Sequence, residues 1–227
     1  MIDFVSLASS SKGNAYVVTD GHTKLLLECG LTYKELQKRL DWRLSGVDGC
    51  LVTHEHNDHA KAVRQVIDSG VPVYMSEGTA LALNLEADHV RILTEKKTAA
   101  VGTFRILPFA VKHDAEEPLG FLLASGTDKL LFATDTGNIV YRFAGLTGIA
   151  IECNHDAARM DDTEPWVYRA RKNHMDVGRL CEYLRKTDLT KVRHIWLLHM
   201  SERHGNEAAF AGRIEREFGI PVTVCGV

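Results

Sequence analysis

The chain has 227 residues, 45% hydrophobic and 25% charged, with a formal net charge of −3; it is long enough for one large domain with a sizeable core and lacks the basic surplus that broad phosphate neutralisation requires. Its five cysteines are scattered and form no C-x-x-C pair, which argues against a disulfide framework and for reduced thiols in a cytoplasmic protein. "MIDFVSLASS" has no basic n-region, and no window approaches 18 uninterrupted apolar residues, so neither a signal peptide nor a membrane span is expected.

In chain order, "DFVSLAS", "NAYVVTD" and "TKLLLEC" are short β-type runs separated by Gly, Ser, Asn and Asp turns. "TYKELQKRL" (32–40) is helical, with Leu36 and Leu40 four apart. "VDGCLVT" (47–53) is a nearly continuous apolar strand of the kind buried on both faces, and it ends at His54. "AKAVRQVID" has Val63, Val66 and Ile67 at helical spacing before Gly70 and Pro72 stop it. A strand "VPVYM" and a helix "EGTALALNL" follow, and then four strand-like runs lie between 98 and 134: "TAAV", "TFRILPF", "LGFLLAS" and "DKLLFAT". The last third alternates strand "GIAIEC", helical stretches over about 155–185, strand "RHIWLLH", helix "NEAAFAGRIEREF" and strand "PVTVC". With no repeat or linker, the pattern reads as one domain over 1–227. Because both halves contain strands followed by helices, a four-layer αββα sandwich of the α/β (α+β) class is expected.

The chemistry concentrates in "HEHNDH" (54–59), an H-x-H-x-D-H pattern straight after an apolar strand. Imidazoles and carboxylates packed this densely resist burial unless something cationic satisfies them. His54 and His56, two apart on a loop capping a strand, can converge on one ion, while Asp58 and His59 reach toward a second. Such ligands fit zinc and its borderline neighbours manganese and cobalt. Three later strand ends add the same residue types: His113 after "FAVK", Asp135 after "LLFAT" and His199 after "IWLL".

On "SLASSSKGNAYVV", "THEHNDH", "HDAEEPLGF", "ATDTG", "ECNHD" and "LLHMS", the chain resembles the metallo-β-lactamase-fold hydrolases over nearly its whole length. Within them it is most similar to the YycJ/WalJ-type and ribonuclease Z-like phosphodiesterase branch. The resemblance implies two divalent metal ions: His54, His56 and His113 would hold the first, Asp58, His59 and His199 the second, with Asp135 bridging. A shared hydroxide would be the nucleophile, oriented by Asp58. Glu152 and His174 resemble the pair in which a Glu orients a His that protonates the leaving oxygen, with His155 as the competing candidate. Ser11, Gly13 and Asn14 either line the site or form a plain turn. The chain departs from its relatives at Glu28, where Asp is usual, at Lys12, where a small residue is common, and at Asn173, where Gly usually precedes the His.

Other residues take blander readings. His22, His89, His194 and His204 read as surface or turn residues. The basic run "YRARKNH" (168–174) reads as a solvated helix face or as a phosphate contact, and Trp166 and Tyr168 as core packing, with stacking on a base as the alternative. Asp135 to His199 spans 64 residues, too short for the inserted domain of the β-CASP nucleases, and no long basic arm is evident. The expected function is a nuclease cleaving phosphodiester bonds of nucleic acid. The alternative is opening of 3′,5′-cyclic mononucleotides, as in related anti-Pycsar enzymes of phages. A non-catalytic metal-binding protein is the third reading. The resemblance also allows a homodimer and implies no membrane partner.

Overall fold

Antiparallel strands need only tight turns, whereas parallel strands need crossovers long enough to hold helices, and both patterns occur here in each half of the chain. The computed structural model describes residues 1–160 and 165–226. Strands β1 (Asp3–Ser10), β2 (Gly13–Thr19), β3 (Lys24–Leu27), β4 (Gly49–Leu51), β5 (Val73–Met75) and β6 (Arg91–Ile92) form one sheet in that order, antiparallel up to β3 and parallel beyond it. The second sheet runs β7 (Ala99–Val101), β8 (Phe104–Ala110), β9 (Leu119–Ser125), β10 (Asp128–Ala133), β11 (Gly148–Glu152), β12 (Ile195–Leu198) and β13 (Val222–Val224), antiparallel up to β10 and parallel from there. Helices α1 (Tyr33–Arg39), α2 (Asn57–Ala60), α3 (Val63–Asp68) and α4 (Glu77–Ala82) belong to the first half. Helices α5 (Pro165–Asn173), α6 (Val177–Arg185) and α7 (Glu207–Phe218) belong to the second.

Period-two alternation explains why the central strands are apolar throughout. Leu25 and Leu27 of β3 pack with Phe104, Phe121 and Phe132 between the sheets, while Leu26 turns outward to Leu36 of α1. In the second sheet Leu130 and Phe132 point inward, and Leu131 and Ala133 meet Leu180 and Leu184 of α6 and Ile214 of α7. The result is the expected αββα order of layers. Each fully buried Leu or Phe contributes about 1.5–3 kcal/mol of transfer free energy.

Several local expectations shift. The 47–53 run is a strand only over Gly49–Leu51, although Val52 still donates to the Tyr74 carbonyl at 2.9 Å. The helix expected from residue 60 splits into α2 and α3. The first of these starts at Asn57, because the His56 carbonyl already accepts from the amides of His59 and Ala60. Asp58 and His59 therefore project from a helical turn and not from a plain loop. Strand β6 was not foreseen, since its two residues are exposed and carry no apolar run. Tyr168 is 75% exposed, against the core-packing reading, because its neighbour Val167 fills the inward face of α5. The Trp166 side chain lies outside the described part of the structure. No described helix is long and apolar enough to cross a membrane, and all five cysteines are buried.

Candidate metal centre

His54 follows β4, His113 follows β8, Asp135 follows β10 and His199 follows β12, so parallel and antiparallel strands deliver their ends to one rim of the sandwich. The turn carrying Asp58 and His59 is locked to the β3–α1 loop, where Cys29 donates to the His59 carbonyl at 2.8 Å. That approach requires Gly30: a Cβ there would lie 1.7 Å from the Asp58 carbonyl oxygen. Three strand-end residues at the rim, Glu28, Asp135 and His199, have positive φ of 64°, 41° and 51°, a left-handed backbone that costs of order 1–3 kcal/mol for a residue with a Cβ.

The side chains form two groups around Asp135. In the first, His56 Nδ1 is 3.1 Å from both His54 Nε2 and His113 Nε2. In the second, His59 Nε2 is 3.4 Å from Asp58 Oδ2 and 3.3 Å from Asp135 Oδ1, and His199 Nε2 is 3.5 Å from Asp58 Oδ2. Asp135 faces both groups, with Oδ2 3.6 Å from His113 Nε2 and Oδ1 turned to His59.

These distances suit cations. A tetrahedral ion with nitrogen ligands at about 2.0–2.1 Å spaces those ligands about 3.3 Å apart. Three ring nitrogens cannot satisfy one another by hydrogen bonding alone, and His199 Nε2 is buried without a hydrogen-bond partner. The far nitrogens of His113, His199 and His54 are engaged as metal-ligating histidines require, whereas His59 Nδ1 is buried without a hydrogen-bond partner. His113 Nδ1 donates to the Asn173 carbonyl (3.2 Å), His199 Nδ1 donates to Glu152 Oε1 (3.1 Å), and His54 Nδ1 meets Thr53 Oγ1 at 2.9 Å. Both His/Asp groups thus fit divalent metal ions.

Charge is balanced within the cluster. Burial opposes ionisation of Asp135, yet His199 and His59 hold it well below the ordinary carboxylate range. Burial also disfavours protonated His199, but Asp135 and its hydrogen bonds push it up to about 10. Asp58 likewise stays low, because the neighbouring His199 and His59 outweigh its desolvation. His54 and His113 move the other way, lowered chiefly by burial.

Behind the rim, Glu152 is fully buried and organises two histidines. Oε1 accepts from His174 Nδ1 at 2.6 Å as well as from His199, and Oε2 accepts the backbone amides of Thr136 (2.8 Å) and Met175 (2.9 Å). Glu152, His174, His199 and Asp135 also lie close enough to form a third ligand group. The Glu152 oxygens, however, are already taken up by these four donors. Burial disfavours charging His174, but Glu152 overrides it and raises the pKa.

The other candidates divide. Ser11 is exposed and lines a cavity of about 300 Å³ together with His56, Asp58, His113, Asp135, His174 and His199. Asn14 is fully buried and so has no exposed surface for a substrate. Its Nδ2 is 3.1 Å from His59 Nε2, and its Oδ1 accepts from the Tyr16 hydroxyl, which meets Ser9 Oγ at 2.7 Å. Ser9 in turn accepts the His199 amide. His155 is fully buried beside Asn154, where its backbone bridges Asp176 just before α6, and it lines neither this cavity nor the one adjoining it. Glu28 Oε2 accepts the Thr53 amide at 3.3 Å and stands 3.7 Å from His59 Nδ1, too far to hydrogen-bond.

Sequence reasoning passed over Asp114 and Arg169, which also line the cavity and pair at 2.7 Å. The signals were present: Asp114 directly follows His113, and Arg169 belongs to the basic 168–174 run. Thr53, Ser9 and Tyr16 carried no comparable signal.

Comparison with known proteins agrees with this geometry. Residues 23–200 match the family model described as a beta-lactamase superfamily domain. The chain is 32% identical to exodeoxyribonuclease YycJ of Bacillus anthracis, covering 88% of this chain and 83% of the relative. It is 28% identical to exodeoxyribonuclease WalJ of Streptococcus pneumoniae serotype 2, covering 87% and 81%. The metallo-beta-lactamase fold protein YhfI from Bacillus subtilis superposes with a TM-score of 0.77 at 14% identity, over 100% of this chain and 97% of that one. With the fold, the His/Asp groups and these similarities in agreement, the chain belongs to the beta-lactamase superfamily, as a metal-dependent hydrolase of the metallo-β-lactamase fold.

Proposed function

We propose that the protein is a phosphodiesterase acting on nucleic acid, with DNA as the first substrate class. The observation that carries this reading is Asp135, whose two oxygens face different ligand groups on the wall of a cavity that also holds a carboxylate-bound histidine. The exodeoxyribonuclease names of the two relatives support DNA. In this reading His54, His56 and His113 would hold one divalent cation, Asp58, His59 and His199 would hold a second, and Asp135, which faces both groups, would serve the two together. Zinc suits this donor set, as do manganese and cobalt. Bound there, the cations supply a nucleophile by lowering the pKa of a water and neutralise charge on the phosphoryl oxygens.

The chain's own groups do the rest. Asp58, ionised and at the cavity wall, orients the attacking water. His174 has its Nδ1 fixed on Glu152, so Nε2 is the nitrogen that delivers a proton to the departing sugar oxygen. An alkoxide leaves poorly without one. Ser11 borders the same cavity and can donate to the substrate.

The test is a paired assay of protein loaded with Mn²⁺ or Zn²⁺, on end-labelled duplex DNA and on 3′,5′-cyclic mononucleotides. Release of mononucleotides from DNA is the expected result. Activity confined to the cyclic substrates would replace the nuclease reading with the small-substrate one, for which a cavity of about 300 Å³ has room. Inertness toward both, with metal bound, would leave a metal-binding protein without this activity.

A further inference from the structure

The cavity at the metal centre does not end at His174. A second cavity of about 290 Å³ adjoins it and shares Ser11, Ala170, His174 and His199 with the first. Both are at the lower edge of ligand-site volumes, so each holds about one nucleotide-sized group. Met160 and Met200 line only the second; their polarisable thioethers offer the adaptable apolar surface on which a flat ring packs well. Arg203 lines it too and is exposed, with no ion pair among the described residues. Among the described residues of this wall, the one carboxylate, Glu202, is paired with Lys12 at 2.5 Å.

The part of the first cavity away from this junction offers no unpaired Lys or Arg among the described residues. His56, His113 and Asp114 line it there. Arg169 lines it as well and is paired with Asp114 at 2.7 Å. A phosphate beyond the scissile one is therefore favoured on the Arg203 side.

We propose that the second cavity is the leaving-group subsite, taking the nucleotide whose sugar oxygen departs, with its base against Met160 and Met200 and its next phosphate at Arg203. The proposal rests on the phosphodiesterase reading and adds the direction in which the substrate lies. His174 fixes that direction, since a general acid must be within hydrogen-bond reach of the oxygen it protonates, and His174 stands in the wall common to both cavities. The phosphorus–oxygen bond breaks with its electron pair on the sugar oxygen, which receives the His174 proton. The water oxygen bonds to phosphorus, its proton passes to solvent, and solvent reprotonates His174.

The experiment compares kcat/KM on the trinucleotide d(TpTpT) with kcat/KM on the p-nitrophenyl ester of thymidine monophosphate, whose leaving group carries no phosphate. Arg203→Glu is expected to lower the trinucleotide-to-ester ratio about tenfold or more, mainly through KM, as loss of one charge-assisted hydrogen bond does. Arg203→Lys should restore most of the ratio. Arg105→Glu, an exposed change on β8 outside both cavities, controls for net charge and should leave the ratio alone. An unchanged ratio in Arg203→Glu, or an equal fall in Arg105→Glu, overturns the subsite. If the metal-loaded wild type cleaves neither substrate, the phosphodiesterase reading itself fails and the subsite fails with it.

Discussion

Replacing Glu152 by Gln removes one charge and almost no volume, so its effects come from hydrogen bonding and electrostatics alone. The carboxylate accepts four hydrogen bonds: two from His174 and His199 on one oxygen, two from the amides of Thr136 and Met175 on the other. A glutamine amide has one oxygen, so in either orientation its NH₂ group confronts two donors. Two bonds are lost and two buried donors go unpaired, at about 1–3 kcal/mol each. We expect Glu152→Gln to cost about 3–5 kcal/mol, the range for breaking a buried ionic contact from one side. At about 2–4 °C per kcal/mol for a chain of this size, the melting temperature falls by roughly 6 °C or more. Activity should fall unevenly. With its anionic partner gone, His174 loses the protonated state that general acid catalysis needs, so cleavage of DNA drops by about 10²-fold or more. Hydrolysis of bis(p-nitrophenyl) phosphate, whose leaving group needs no proton, suffers only through the loosened His199. Thermal melts and steady-state kinetics on both substrates provide the measurements. Equal loss on the two substrates, with a melting point within about 2 °C of wild type, would refute the reasoning on both counts.

Four further outcomes are expected. His59→Ala should lower bound metal measured by elemental analysis and reduce turnover by orders of magnitude, with the circular dichroism spectrum intact; undiminished turnover would remove the second cation from the mechanism. His174→Ala should slow cleavage of poor leaving groups and scarcely alter that of an activated aryl diester, and equal losses on both would take away its role as proton donor. Gly30→Ala forces a Cβ against the Asp58 carbonyl, so metal content and melting temperature should fall together; wild-type metal affinity would show that the loop can move aside. Asp128 is opposed by burial but held low by Arg193, at 2.6 Å, and by the Ile2 amide. A depressed folded-state pKa contributes stability above the unfolded value of about 3.9 that is lost as pH falls through the folded one. Asp128→Asn should therefore melt below wild type at pH 7, with the gap closing in acid, and a gap that widens in acid would contradict the assignment.

The His/Asp cluster was legible because its residues report themselves locally. His54, His56, Asp58 and His59 are consecutive enough to form a motif, and His113, Asp135 and His199 each terminate an apolar run. The layer order was legible for the same reason, since alternation along β3 and β10 is written into adjacent leucines. What could not be read depends on pairs far apart in the chain. Nothing in "SSSKGN" shows that Asn14 is buried against His59, 45 residues on. The start of α2 inside the motif rests on backbone hydrogen bonds to His56, which the side-chain pattern hides. Tyr168 was misread because an aromatic residue favours a core in general, whereas on α5 Val167 had already taken the inward position.

The left-handed backbone at Glu28, Asp135 and His199 sets an engineering limit. At each position glycine or asparagine would relax the main chain, and selection for thermal resilience alone would reward that exchange. At Asp135 and His199 the reward would come at the expense of the His/Asp cluster, yielding a hardier protein with that cluster broken. Directed evolution of this scaffold should therefore hold those two codons fixed and look for robustness in the outer helices.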